Sequence, residues 1–166
     1  MTANPWIQDV AFPDCENSHV GKICLQMNCN SDCVHILRSI VAVMTARTGM
    51  SELQSNRVAI AVDELFANIA SHAYDGKPGK VEFECRIDES SDGGGELIID
   101  LRDYASCNWS GCLEEAASRT IDHENPCPGG LGLKLICAVV DECEHTRLPD
   151  GNHWRLIFKF NGRTNT

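Results

Sequence analysis

Glu64 and Asn68 lie four residues apart in the run AVDELFANIASHAY (residues 61–74), and His72 lies four further on. On a helix those positions stack along one stripe. Magnesium prefers oxygen ligands, keeps several waters and takes one or two protein groups beside substrate phosphates, so Asn68 is a candidate ligand. Glu64, one turn earlier, could accept a proton from an attacking hydroxyl or water, or hold a metal-bound water. A plainer reading is a solvated amphipathic helix whose core face is Val58, Val62, Leu65, Phe66, Ile69 and Ala73. Its other face argues against that, because it holds Asp63, Glu64, Asn68, Ser71, His72 and Asp75 with no Lys or Arg from residue 58 to 75. Exposed helix faces usually mix both signs. His72 fits best as a helix-end packing or capping residue.

Two later segments could serve a nucleotide. In LIIDLRDYA (residues 97–105) the alternation of Leu97, Ile99 and Leu101 carries Asp103 onto the inward side of a strand end. A carboxylate aimed at the core must find donors, and the exocyclic amine of adenine is one. A turn aspartate bonding its own backbone is the alternative. In PGGLGLKLI (residues 128–136), Gly129, Gly130 and Gly132 lead into an apolar helix. Unobstructed backbone N–H groups of Gly129, Gly130, Leu131, Gly132 and Leu133 at a helix N-terminus suit an anion, and Lys134 could reach a phosphate. Glycines also make plain turns. The loop lacks GxxxxGK[ST] and is not a P-loop.

The elements that must position these groups are legible from periodicity. GKICLQMN alternates Ile23, Leu25 and Met27, the mark of a half-buried strand. Ser31 or Asp32 can cap a helix of about 16 residues that ends before Gly49. Ser51 and Gln54 make a capping box for a second helix, predicted to run to about Asp75 before the breaker DGKPG. KVEFECRI, GELIIDLRD and HWRLIFKF each place apolar residues on one side and charge on the other. LKLICAVV reads as a helix, Cys143 to Arg147 as a short strand, and PDGN as the turn before the last strand. This pattern predicts an α/β (α+β) two-layer sandwich, with a mixed, mostly antiparallel sheet and helices on one face. Residues 1–20 read as an N-terminal extension without chemistry, residues 21–162 as the domain, and residues 106–128 as a lid.

A chain of 166 residues is long enough for one domain with its own core. Lys+Arg 14 against Asp+Glu 24 gives a formal charge of −10. Direct binding of nucleic acid, which relies on neutralising phosphates, is therefore not expected. No apolar stretch suffices for a membrane span and the N-terminus lacks a leader pattern, so the expectation is a cytoplasmic protein. Its 10 cysteines contain no CxxC pair, and they read as free thiols packed like small hydrophobes rather than as a zinc site.

The three segments, in this order and spacing, resemble the ATP-binding boxes of the GHKL superfamily. VDELFANIASHAY, the helix before it and PGGLGLKLICAVVDECEH are most similar to the RsbW and SpoIIAB group of anti-sigma-factor kinases, over about residues 21–160. The resemblance implies the Bergerat ATPase fold and the cofactors ATP and Mg2+. It assigns Glu64 as general base, Asn68 as magnesium ligand, Asp103 as the adenine-binding aspartate, and Gly130 and Gly132 as lid glycines. It also implies a serine/threonine protein kinase that sequesters a sigma factor and phosphorylates a STAS-domain anti-anti-sigma protein, with room for a homodimer. The chain departs from the family pattern DxGxG, since DYASC puts Ala105 and Cys107 in place of its glycines. Ala105 brings a methyl beside the adenine position and lacks glycine's freedom at positive φ. The alternative reading is accordingly a partner-binding regulatory module of the same fold with weak or no kinase activity. A histidine-kinase catalytic fragment is a third reading, disfavoured by the unpatterned N-terminal residues.

Overall fold

The computed structural model describes residues 21–29, 33–91, 93–105 and 131–161. The extension 1–20, the capping candidates Ser31 and Asp32, the lid 106–128 and the glycines Gly129 and Gly130 lie outside the described residues.

Five strands and three helices follow in the order β1 (Lys22–Cys29), α1 (Cys33–Thr48), α2 (Glu52–Asn68), β2 (Gly79–Glu89), β3 (Gly95–Asp103), α3 (Leu131–Val139), β4 (Glu142–Leu148) and β5 (Gly151–Phe160). The strands form one sheet in the order β1-β2-β3-β5-β4. All four pairings are antiparallel, so the described sheet has no parallel pair where the periodicity had allowed a mixed one. The result is a two-layer α/β sandwich.

Period-two alternation decides which side of each strand is buried against the helices. Val81, Phe83, Cys85 and Ile87 of β2, Leu97, Ile99 and Leu101 of β3, and Trp154, Leu156, Phe158 and Phe160 of β5 join Leu37, Val41 and Met44 of α1 and Val58, Val62, Leu65 and Phe66 of α2 in a single core. At the edge, β1 contributes Ile23, Leu25 and Met27, which are only partly covered.

The capping box at the start of α2 is formed. Ser51 Oγ accepts from the Gln54 N–H and the Gln54 side chain accepts from the Ser51 N–H, so two of the orphan donors of the first turn are satisfied. The far end differs from a plain helix. After Asn68 the winding loosens into a π turn, Ile69–Ala73, and Tyr74 closes it by donating its N–H to the Ile69 carbonyl at 3.2 Å. π turns occur preferentially next to functional positions, and this one begins one residue after the candidate magnesium ligand.

The opposite side of the sheet is charged but not solvent-washed. Glu82, Glu84, Arg86, Asp100, Arg102 and His153 are all buried there. Asp100 lies at the centre, accepting from Arg86 Nη1 at 3.0 Å and Arg155 Nε at 2.8 Å, with His153 Nε2 at 2.7 Å. Lys22 pairs with Glu84 at 2.8 Å and Lys80 with Glu82 at 2.8 Å. Alternation alone shows charge on this face; it does not show that the charges bury one another.

Candidate functional site

Glu64 and Asn68 project from α2 on the flank that α3 covers. A Cβ added to Gly132 would lie 2.9 Å from Glu64 Oε2 and 3.0 Å from Asn68 Nδ2. The start of α3 therefore rests on the acid and amide pair, and any side chain at position 132 would press on the ends of both. The glycine segment, 64 residues after Asn68 in sequence, thus meets it in space. Asn68 Nδ2 is buried and has no hydrogen-bond partner among the described residues. A buried donor left unmade costs on the order of 1–3 kcal/mol, which a ligand bearing acceptor oxygens would recover. Glu64 makes no hydrogen bond or ion pair among the described residues, and it borders an open cavity of about 710 Å³ lined also by Val34, Arg38, Asp63, Ala67 and Lys77. Its neighbour Asp63 is held away from this role by Arg38 of α1, which binds both carboxylate oxygens at 2.8 and 2.9 Å. The cation missing from the α2 face is thus supplied by the adjacent helix.

Leu133 packs on the core and Lys134 is half-buried in the first turn of α3. Of Leu131, only the backbone is described, and Gly129 and Gly130 are not.

Asp103 is 1% exposed, as its inward phase predicted. Its Oδ1 accepts from the Ala105 N–H at 3.1 Å and from Asn152 Nδ2 at 3.1 Å. The inward reading and the backbone-bonding alternative are therefore both realised. Burial pushes the Asp103 carboxyl above its ordinary value, against the lowering effect of these two donors. Ala105 is buried and keeps an ordinary negative φ, so the turn here does not need the conformation that glycine would have allowed. Gly151, opposite, does: its φ is 150° and a Cβ would strike the Asp103 carbonyl oxygen.

Two residues that the spacing argument did not single out tie the site together. The Tyr74 hydroxyl donates to the Lys80 carbonyl and accepts from the Tyr104 N–H at 2.8 Å. The end of the helix carrying Glu64 and Asn68 is thereby fastened to the residue after Asp103. Asn152 is the other, and the long separation of 49 residues hides it from any local pattern. His72 is exposed at the helix end, away from these bonds. The cysteines described are free thiols; Cys33 and Cys85 are buried, but Cys24 is exposed on the outer side of β1.

The sandwich seats the glycine-containing start of a helix on an acid and amide pair, and comparison with known proteins gives its class. The profile of the histidine kinase-like ATPase domain matches residues 29–158. The chain belongs to this ATP-binding, kinase-like family. Among solved structures it resembles the RsbU and RsbW domains of Rv1364c from Mycobacterium tuberculosis, with 14% identity and a TM-score of 0.58 over 86% of this chain and 33% of that one. The chain therefore spans about one third of that structure's length. The mycobacterial sensor histidine kinase MprB matches with 16% identity and a TM-score of 0.43, over 85% of this chain and 100% of that one. No curated protein matches.

Proposed function

We propose that this domain is an anti-sigma-factor type serine/threonine protein kinase that binds Mg-ATP, phosphorylates a serine on a STAS-domain anti-anti-sigma protein and sequesters a sigma factor. The observation that carries the reading is the seat of Gly132 on Glu64 and Asn68, which joins an anion-binding helix start to a proton acceptor and an amide oxygen. The partners follow from the resemblance of VDELFANIASHAY to the RsbW and SpoIIAB group, and the RsbW-containing structure is in keeping with it.

In this reading Asp103 accepts from the adenine amine beside Ala105, and the backbone of Gly129, Gly130, Leu131, Gly132 and Leu133 cradles the phosphates with Lys134. Asn68 Oδ1 would hold magnesium, whose charge would offset that of the phosphates. An acceptor hydroxyl enters from the cavity that Glu64 borders. Its oxygen bonds to the γ-phosphorus, its proton passes to Glu64, and the bond to the β–γ bridging oxygen breaks to release ADP. Positioning and charge neutralisation are the main catalytic contributions.

The test is thermal unfolding with and without millimolar Mg-ATP, in the wild type and in Asn68→Ala, followed by phosphate transfer to a STAS-domain protein by the wild type and Glu64→Ala. Ligand at about 100 times its dissociation constant stabilises by roughly 2.7 kcal/mol, a rise of several degrees. A rise confined to the wild type, with transfer lost in Glu64→Ala, is expected. The buried methyl of Ala105 beside Asp103 favours a second reading, a partner-binding module with a weak nucleotide site. An absent rise in the wild type, with partner binding intact, would establish that one instead.

A further inference from the structure

Asp103 does not stand alone at its strand end. Asn152 faces it directly across the β3–β5 pairing, and the two donors that reach Asp103 among the described residues both fall on Oδ1. Oδ2 carries neither of them. Asn152 is itself held, because its Oδ1 lies 3.1 Å from His145 Nε2. The His145 ring leans on the Trp154 indole, with centroids 4.1 Å apart and planes tilted by 39°, and the two residues are paired across β4 and β5. A chain of contacts thus runs from Trp154 through His145 and Asn152 to the carboxylate.

Each link has a direction. An amide can present either its NH2 or its oxygen, and a flipped Asn152 would aim oxygen at a carboxylate. A proton on His145 Nε2 forbids the flip, since it needs the Asn152 oxygen as its acceptor. The amide nitrogen is then left to face Asp103. The two N–H donors on Oδ1 favour the ionised carboxylate, which accepts hydrogen bonds and donates none, against the opposing effect of its burial. Oδ2, which takes no donor among the described residues, can pair with an exocyclic amine and would repel a carbonyl in the same place.

We propose that His145 and Asn152 are positioning residues that hold Asp103 as a pure acceptor and so make the site select a 6-amino purine over a 6-oxo purine. The proposal rests on the reading that a purine nucleotide sits at Asp103, and it adds the device that sets the choice of base. Neither residue touches the nucleotide; both act through the carboxylate.

Mg-ATP and Mg-ITP form a suitable pair of probes because they differ at the purine 6-position. Their dissociation constants, measured calorimetrically on the full chain, give a base-selectivity ratio for the wild type, Asn152→Ala, His145→Ala and His145→Gln. The expected outcome is a wild-type preference for ATP that falls about tenfold in both alanine variants, the worth of one well-made hydrogen bond. His145→Gln, which can still offer an N–H to Asn152, restores it. A purely structural role would weaken both nucleotides alike and leave the ratio unmoved, and that result overturns the proposal. His145 is only half-buried, so its alanine variant carries the test by itself if Asn152→Ala does not fold. A wild type that binds neither nucleotide defeats the underlying nucleotide reading, whereas one that binds ATP with ratios unchanged among the variants defeats the relay alone.

Discussion

Asp103 combines two requirements that oppose each other. Burial raises its pKa, while the Asn152 side chain and the Ala105 N–H draw it down without fully compensating. For a carboxyl raised above its unfolded value of about 3.9, the contribution to stability is complete below that value and is lost as pH rises through the folded pKa. Asp103→Asn removes this cost. The variant is expected to gain on the wild type in unfolding midpoint as pH is raised from 4 to 7, while losing the Mg-ATP-dependent rise, because its NH2 can occupy the acceptor's place. A variant that loses ground to the wild type over that pH range would contradict the sign. At this scale the inward phase of Asp103 was legible from Leu97, Ile99 and Leu101, since strand alternation fixes which side a residue takes. Its partners were not, because His145 and Asn152 reach it across two pairings that no sequence period encodes.

Among the elements, α2 was the most legible and also held the main departure. Its capping box and apolar face are as the spacing requires, but the continuous helix to Asp75 is replaced by a π turn after Asn68 and a Tyr74 anchored to β2 and the end of β3. The HAY ending reads locally as the tail of an amphipathic helix. Only the fold brings the Tyr74 hydroxyl to Lys80 and Tyr104. Tyr74→Phe leaves the Tyr104 N–H and the Lys80 carbonyl without that partner, and the loss is expected to be about 1–3 kcal/mol by urea denaturation. Because the same bond fastens the helix to the Asp103 strand end, Mg-ATP affinity should fall as well. Unchanged affinity with reduced stability would mean the fastening serves the fold alone.

Over the whole molecule the two sheet faces follow different physics: one is apolar beneath the helices, and the other is an ionic lattice around Asp100. Burial raises the Asp100 carboxyl, but hydrogen bonds and charge from His153 and Arg155 outweigh it and hold the group below the ordinary carboxylate range. Its contribution is therefore present above the unfolded value of about 3.9 and is lost as pH falls through the depressed folded value. Asp100→Asn leaves Arg86 and Arg155 without their shared carboxylate and is expected to cost on the order of 3 kcal/mol near pH 7, by denaturant unfolding. The difference from the wild type should narrow towards pH 3, and a constant difference would refute the assignment. Which strands alternate was plain from the sequence, whereas the order in which they pair was not, since β3 and β5 are neighbours only after the chain has made the excursion through α3 and β4. That excursion has a kinetic meaning. The Asp103 and Asn152 register closes across 49 residues, and contacts so distant in sequence form slowly because loop-closure entropy must be met before they reward it. The Asp103 end of the site is thus assembled in the step that seats the last strand, so a chain still lacking β5 during synthesis has α2 with Glu64 and Asn68 but not the Asn152 amide that holds Asp103.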